Sequence, residues 1–325
     1  MLWHQHVIGE LVSLRQALQQ QQKSLSREGV RELLARKAGS FQVLAPMSPE
    51  EVERWFGGRP LAAVDGSVNV LGGPFPRVLE FFQALGKTST GRRVAAARVF
   101  TPLLPEALAE LESLAAKEGL PQELALIALR SRRLSALELE VGCRLVEEEA
   151  PRLLLFDGGF MRYARHAPRE WAAFCRLALE RGVIAAGVIE EVESFGLAKI
   201  CGVFAPAVYD RDLLLGVLEP GECLFVPPEL KVKGESLYTV FARLSCHPQP
   251  VAVDFLQEQA AFAPQVMRYL YTITPSGGRG IPLFLDLVDA EVRLGKRDVE
   301  LLADTYLGQL LREIFFTPQR ERRDF

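Results

Sequence analysis

Two Asp-Gly turns, each placed directly after an apolar run, constrain the fold of this chain more than any other feature. The turn at Asp65 closes the run 61–64, and the turn at Asp157 closes the run 153–156. A short apolar run predicts a buried strand, and the glycine that follows predicts the end of that strand. Two aspartates brought together at strand ends repel each other unless a cation or a proton is present. Their oxygen atoms are ligands that suit a divalent metal ion.

The composition is that of a soluble globular protein and excludes several classes of protein, among them membrane-spanning and disulfide-rich secreted proteins. The chain has 325 residues, a formal net charge of −3 and a pI near 6.0, so any nucleic-acid binding must depend on local basic clusters. No apolar stretch reaches the ~20 residues of a membrane span, and the N-terminus lacks a signal-peptide pattern. The five cysteines are widely spaced and contain no CxxC pair. We therefore expect reduced thiols, no structural zinc and a cytoplasmic location.

Periodicity and turn residues predict one mixed α/β domain with helical additions. The predicted helices are 5–37, 105–119, 122–149, 169–181, 262–273, 282–294 and 298–315. The predicted strands are 61–64, 68–71, 94–100, 153–156, 183–188, 223–226, 238–244 and 251–255. The helix between the fourth and fifth of these strands predicts a βαβ unit with parallel neighbours.

The chain divides into three predicted parts. They are an N-terminal helical arm (1–56), a main domain (57–318) and a charged tail (319–325). For the helical segment 5–37, two alternatives stay open. It forms a projecting arm or hairpin, or it packs on the main domain.

A helical glutamate is the third candidate ligand. On the predicted helix 122–149, apolar residues recur at spacings of three and four, and Glu138 lies on or beside that apolar face. A carboxylate directed at a core must be paired or metal-bound, which favours Glu138 and leaves Glu140 in reserve. The alternative is a glutamate paired with an arginine at 132–133 on the helix border.

A fourth acid comes from the apolar helix predicted near the C-terminus. Asp286 and Asp289 are three residues apart, so they share one face of that helix. In isolation, such acids are also typical of helix-surface charges. Two to four carboxylates around an open site are typical of phosphoryl chemistry supported by Mg²⁺ or Mn²⁺.

The order and spacing of these motifs resemble those of the NurA nuclease family. The residues concerned are the segment Ala-Val-Asp-Gly-Ser that ends at Ser67, the helical Glu138, and the segment Leu-Phe-Asp-Gly-Gly around Asp157. The resemblance implies an RNase H-like core, with 57–318 as a NurA-like nuclease domain. It also implies that Asp65, Glu138 and Asp157 bind Mn²⁺ or Mg²⁺, with Asp289 completing the site.

The same resemblance implies an activity and partners. The expected activities are single-strand endonuclease and 5′–3′ exonuclease cleavage of DNA, used in end resection and double-strand-break repair. The expected partners are a HerA-type hexameric helicase or translocase and a second copy of the chain in a homodimer.

The chain departs from the family pattern in two places. Where the family usually has Ser-Lys after a strand, this chain has Ile189 and Glu190, and Lys199 is a candidate to replace the lost charge. Asp289 stands where the family has a histidine. An aspartate preserves metal binding but not proton transfer near neutral pH.

Candidate DNA contacts cluster beside the second Asp-Gly turn, where cations bind phosphates and aromatic rings stack on bases. They are Phe160, Arg162, Tyr163 and Arg165, and Ser67 after the first Asp-Gly turn is a further candidate contact. Two alternatives to a nuclease stay open: a weakened or inactive DNA-end or translocase adaptor, and an ATPase of the actin-like or sugar-kinase fold. The second is disfavoured because that fold duplicates its core, and no second copy is present in the sequence.

Overall fold

The computed structural model describes residues 5–24, 26–203 and 208–317. The helices are α1 (Gln5–Ser24), α2 (Arg27–Lys37), α3 (Pro49–Phe56), α4 (Pro105–Glu118), α5 (Gln122–Glu149), α6 (Phe160–His166), α7 (Pro168–Glu180), α8 (Gly196–Cys201), α9 (Asp210–Leu214), α10 (Ala263–Ile273), α11 (Leu283–Val292), α12 (Lys296–Leu307) and α13 (Gln309–Phe316). The strands are β1 (Ser40–Val43), β2 (Leu61–Gly72), β3 (Val78–Thr88), β4 (Arg93–Phe100), β5 (Leu153–Asp157), β6 (Ile184–Ile189), β7 (Glu222–Phe225), β8 (Leu237–Arg243) and β9 (Val251–Leu256). The predicted tail 319–325 lies outside the described residues.

Within the described residues, nine strands form one mixed sheet in the order β1-β7-β8-β9-β6-β5-β2-β3-β4. The pairs β2–β5 and β5–β6 are parallel, and all other neighbours are antiparallel. Helices α6 and α7 connect β5 to β6, which confirms the predicted βαβ unit. The α/β class, and the mixed sheet expected of an RNase H-like core, are also confirmed.

The two Asp-Gly turns differ in structure. Strand β5 ends at Asp157 as predicted, and Gly158 has a φ of 101°, which favours glycine. The prediction that Gly66 ends its strand is wrong. Strand β2 continues to Gly72, because residues from Asp65 onward pair with β3 without interruption. The predicted strand 68–71 is the second half of β2, and β3 was not predicted.

Helices cover both faces of the sheet. Helices α4 to α7 cover one face, here called the α5 face, and residues such as Val64 and Phe156 point into its core. Helices α10 and α11 cover the other face, here called the α11 face, whose core includes Ala63 and Leu155. Because side chains alternate along a strand, consecutive residues of β2 and β5 enter opposite cores. This alternation determines which face each strand-borne acid occupies.

In the N-terminal segment, one helix packs on the main domain and the other has an exposed apolar face. Helix α2 packs on the domain through Val30 and Leu34. Helix α1 exposes Val7 and Leu11. Strand β1, which lies within the segment 1–56, pairs with β7 and extends the main sheet. The boundary at residue 56 stays a prediction.

The C-terminal segment holds two helices where one was predicted over 298–315. The break falls at Gly308, whose φ of 85° ends α12 and allows α13 to leave in a new direction. None of the helices among the described residues combines the length and the apolar character that a membrane span requires.

Candidate metal centre

Three carboxylates converge at the rim of the sheet. Among the described residues, Asp65, Asp157 and Asp289 each offer an oxygen atom, and these oxygens lie within 4.8 Å of one another. Asp65 is buried, whereas Asp157 and Asp289 are half-buried. The arrangement is an oxygen-only ligand set, which suits Mg²⁺ or Mn²⁺.

Strand register brings the first two acids together. Val64 of β2 pairs with Phe156 of β5 in a parallel ladder, so the next residues along, Asp65 and Asp157, occupy adjacent positions at the carboxyl end of both strands. Both side chains take the α11 face, because Ala63 and Leu155, two positions earlier, belong to its core.

Helix α11 delivers the third acid. Its buried residues Leu285, Val288 and Val292 pack against the sheet, and the helix lies over β2. Asp289 follows Val288 and therefore lies at the edge of the packed surface. Its Oδ1 atom also accepts a hydrogen bond from Nε of Arg293 at 2.9 Å.

Burial and mutual repulsion make the acids hard to ionise together. Burial raises the pKa of Asp65 to about 8, with further contributions from the nearby charges of Asp157 and Glu138. Burial also raises the pKa of Asp157, and the positive charge of Arg162 opposes this rise. A bound cation would relieve both effects.

Glu138 approaches from the opposite face of the sheet. It projects from α5, is fully buried, and does not belong to the group whose oxygens lie within 4.8 Å. Gly66 makes this approach possible, since a Cβ there would overlap with Oε1 of Glu138. Oε2 of Glu138, the expected third ligand, accepts a hydrogen bond from Nη2 of Arg162 at 2.6 Å, and Oε1 has no partner among the described residues. Glu140, the reserve candidate, forms an exposed ion pair with Arg98 at 3.0 Å.

The expectation that Phe160 or Tyr163 stacks on a base is corrected by the structure. Both residues are fully buried in the core of the α5 face, where their rings contact Phe156 and Trp171. Helix α6 was not predicted, and its amphipathic turn directs both rings inward. Arg165 of the same helix is exposed, and Ser67 of β2 is half-buried.

A cation from the glycine-rich loop 276–280 lies beside the acids. Arg279, in the glycine-rich loop before α11, binds Glu190 and donates to Oδ1 of Asp286 at 2.7 Å. Its charge also lowers the pKa of Asp157, after the larger effects of burial, Arg162 and Asp289. Arg279 thus supplies a positive charge next to Glu190, whereas Lys199 lies exposed on α8.

A buried polar cluster supports the second turn. Asp254 of β9 is fully buried and accepts hydrogen bonds from Lys233 Nζ, Thr239 Oγ1 and the backbone N–H of Phe160, at 2.8, 2.8 and 3.1 Å. Gly159 makes room for it, because a Cβ there would lie 3.1 Å from Oδ2. An aspartate inside the apolar run 251–256 was the sequence signal for this cluster. The cluster anchors the backbone that follows Asp157.

The comparison with protein families identifies the chain. The family model described as the NurA domain matches residues 59–294, which include Asp65, Glu138, Asp157 and Asp289. The chain belongs to the NurA family. This membership supports a nuclease, and it confirms the resemblance found in the sequence. A comparison with curated proteins gives no match.

The solved structures that resemble this NurA protein have low sequence identity to it and low TM-scores. The catalytic domain of human Endonuclease V is 15% identical, with a TM-score of 0.39, and the alignment covers 92% of this chain and 98% of that one. Ciona intestinalis Endonuclease V, solved with a 24mer DNA, is 14% identical with a TM-score of 0.35, covering 85% and 96%. Kluyveromyces polysporus Argonaute is 9% identical with a TM-score of 0.33, covering 76% and 28%.

Proposed function

We propose that this protein is a divalent-metal-dependent deoxyribonuclease that hydrolyses phosphodiester bonds. The observation that carries the proposal is the convergence of Asp65, Asp157 and Asp289 within 4.8 Å in a chain of the NurA family. These three residues are the proposed ligands, and Mn²⁺ or Mg²⁺ is the proposed ion.

The residues present fit such an ion. All donors are carboxylate oxygens, and they surround a point where burial and repulsion disfavour an uncompensated negative charge. When bound, the ion supplies activation of water and neutralisation of phosphate charge. The protein holds the ligands on two rigid strands and one helix, which keeps the site preorganised.

Cations around the acids provide the proposed contacts to DNA. Arg279 lies beside the acids, and Arg165 is exposed on the helix that follows the second turn. Both can bind phosphate oxygens, which position a nucleic acid without reading its sequence. Ser67, half-buried on β2 two residues after Asp65, is a proposed polar contact.

Further properties are proposed from the family resemblance. We propose that single-strand endonuclease and 5′–3′ exonuclease activities serve DNA end resection and double-strand-break repair, with a HerA-type translocase and in a homodimer. Exposed apolar side chains on α1, α12 and α13 support a contact between subunits, and among them are Val7, Leu11, Leu301, Tyr306 and Leu310. Free thiols support a cytoplasmic location. Analytical ultracentrifugation at micromolar concentration tests the dimer, and a sedimentation coefficient of a compact monomer contradicts it.

One observation favours a second candidate function, a DNA-end or translocase adaptor with weak or no cleavage. Ile189 and Glu190 stand where the family has Ser-Lys, and Glu190 is bound to Arg279 rather than free to contact a substrate. Such an adaptor keeps DNA or partner binding and loses turnover.

Cleavage of end-labelled single-stranded DNA distinguishes the two candidates. The assay compares the wild-type protein, Asp65→Asn and Asp212→Asn, with Mn²⁺, with Mg²⁺ and with EDTA. Asp212 is an exposed aspartate on α9 and is the matched control. Cleavage that requires the metal, disappears in Asp65→Asn and persists in Asp212→Asn supports the nuclease. DNA binding without cleavage in any condition supports the adaptor, and ATP turnover without cleavage contradicts both.

A further inference from the structure

A cavity with several cations in its wall lies among the helices of the α5 face, where α4, α5 and the junction of α6 and α7 meet. Its volume is about 400 Å³, which is within the range of small-ligand sites, ~300–1,000 Å³. Its wall contains Lys117 of α4, Arg132 and Arg133 of α5, and His166, the last residue of α6. None of these four residues belongs to the contacts with DNA proposed above.

The two arginines of the wall are ion-paired but keep further donors. Nη2 of Arg132 binds Glu118, and Nη2 of Arg133 binds Glu110. A guanidinium has five N–H groups, so one carboxylate leaves each arginine with donors for another acceptor. The ring of Phe100 lies 4.6 Å from Cζ of Arg133 and helps to hold that guanidinium in place. The wall is therefore rigid and still able to bind an anion.

The imidazole of His166 indicates a positive potential in this cavity. Burial lowers its pKa, and three nearby guanidinium groups lower it further; they belong to Arg165, Arg132 and Arg162. The carboxylate of Glu118 opposes this effect, but its contribution is smaller and it is itself bound to Arg132. Positive charges lower the pKa of a histidine because they disfavour its charged form, and the same charges favour a bound anion.

Two exposed residues complete the charged wall. Among the described residues, neither Lys117 nor Glu170 of α7 forms an ion pair, so the ammonium group of Lys117 is available to a ligand. The other acid of the wall, Glu110, is already bound to Arg133. The cavity therefore has more positive than negative groups, which suits an anion.

Helix α6 connects this cavity to the converging acids. Arg162 and His166 are four residues apart on α6, so they lie on one face of the helix and about one turn, ~5.4 Å, apart. Nη2 of Arg162 donates to the backbone oxygen of Asp157 at 2.8 Å. Arg165 is exposed on the same short helix. A row of cations thus begins at Asp157 and ends in the cavity.

We propose that this cavity binds phosphate groups of a single-stranded nucleic acid that runs from the acids along α6. The planar fork of an arginine matches the geometry of phosphate oxygens, and a row of cations matches the repeating charge of a strand. The inference rests on the proposed function for its substrate, and it adds a subsite outside the metal centre, at Lys117, Arg132, Arg133 and His166.

Binding of a fluorescein-labelled oligodeoxythymidine, measured in EDTA, tests the subsite without cleavage. We expect Lys117→Gln with Arg132→Gln to weaken binding about tenfold and to reduce the slope of log K against log salt by ~0.7–1.4, the values for one or two phosphate contacts. Arg36→Gln with Arg54→Gln is the matched control, because it removes the same charge from exposed arginines on α2 and α3. Equal affinity of the two double variants overturns the inference.

A single substitution that should strengthen binding keeps the test decisive if the first double variant does not fold. Glu170→Gln removes an exposed negative charge from the same wall. We expect it to tighten binding about threefold, the effect of one exposed charge, which misfolding cannot produce. Glu53→Gln, at an exposed acid on α3, is its control. Unchanged or weaker binding by Glu170→Gln overturns the inference.

An NMR titration of the His166 imidazole distinguishes the sources of the phosphate. A phosphate in the cavity favours the charged imidazole, so the oligodeoxythymidine should raise the pKa of His166. Inorganic phosphate and thymidine 5′-monophosphate, at the same phosphate concentration, should raise it less. An unchanged pKa overturns the inference, and an equal rise with the small phosphates overturns the assignment to a strand. A protein that gives the expected binding and titration but cleaves nothing with Mn²⁺ contradicts the proposed nuclease and leaves this inference standing.

Discussion

The side chain of Glu138 fills the space that a side chain at position 66 would need. The missing side chain of Gly66 leaves the volume into which Glu138 projects from the opposite helix, and a Cβ on Gly66 would overlap with Oε1 of that glutamate. A glycine inside a strand often marks such a close approach. The α5 face and the acids on the α11 face are therefore coupled at this single position.

Replacing Gly66 with alanine tests that coupling. The new methyl group would overlap with Oε1 of the fully buried Glu138 and lie 2.8 Å from Cδ1 of the partly buried Leu134. We expect Gly66→Ala to lower the free energy of unfolding by about 1–3 kcal/mol, the usual effect of overpacking. Urea denaturation measures the change. Gly277→Ala is the control, because a Cβ there meets nothing within 4 Å. Equal stability of the two variants would show that Glu138 moves without penalty.

The stability of the metal-free protein should fall as the pH rises. Burial raises the pKa of Asp65 from an ordinary value of 3.8 to about 8. Between these two values the folded state binds more protons than the unfolded state, so its stability decreases with pH and levels off above pH 8. We expect the Tm in EDTA to drop between pH 5.5 and 8.5, and less steeply in Asp65→Asn.

Added Mn²⁺ should oppose this trend. The ion competes with the proton for Asp65, so the rise in Tm on adding Mn²⁺ should be larger at pH 8.5 than at pH 6 and should disappear in Asp65→Asn. Differential scanning fluorimetry with and without Mn²⁺ measures both effects, and Asp212→Asn serves as the control. A metal-induced shift that is the same at both pH values contradicts the raised pKa.

Arg279 should contribute to DNA affinity. Its guanidinium lies beside the acids and is half exposed, so it can exchange Glu190 for a phosphate oxygen. We expect Arg279→Ala to weaken binding of single-stranded DNA about tenfold, and to reduce the slope of log K against log salt by ~0.7, the value for one phosphate contact. Fluorescence anisotropy in EDTA, across a range of KCl concentrations, measures both quantities. Arg268→Ala, an arginine that binds Glu51, is the matched control. An unchanged slope would show that Arg279 does not contact phosphate.

The Lys233–Asp254 pair should behave as a coupled unit. Both side chains are buried, at 10% and 0% exposure, so removing the lysine leaves an uncompensated carboxylate. We expect Lys233→Met to lower the free energy of unfolding by about 3–5 kcal/mol, and Lys233→Met with Asp254→Asn to recover much of that loss. A double-mutant cycle by urea denaturation gives the coupling energy. Additive effects of the two substitutions would contradict a direct pair.

Local signals in the sequence were sufficient to predict most helices and strands. Pro121 and Pro151 bound α5, and its predicted limits, 122–149, match the structure. The parallel βαβ unit followed from two apolar runs and the helix between them. The adjacency of Asp65 and Asp157 follows from the same pattern, since parallel strands end at one edge of a sheet.

Features that depend on distant contacts were not predictable in this way. Gly66 looked like a strand end, and only pairing with β3 shows that β2 continues. Phe160 and Tyr163 looked available to a base, and only the packing of α6 against Trp171 buries them. Periodicity put Asp286 and Asp289 on one helix face, and only the family resemblance favoured Asp289. The orientation of α11 directs Asp289 to the acids and Asp286 to Arg279.

By itself, the sequence determined the α/β class, the family and the presence of two acidic turns, because these depend on periodicity and on neighbouring residues. Asp289 was expected at the site from the family resemblance, whereas the tertiary structure alone decided that Arg162 binds Glu138. The physical reason is that a charge buried at a sheet rim is stabilised by whichever oppositely charged or metal-binding group the packing brings within a few ångströms. Arg162 is such a partner for Glu138 from 24 residues away, whereas Asp289 approaches Asp65 as a like charge.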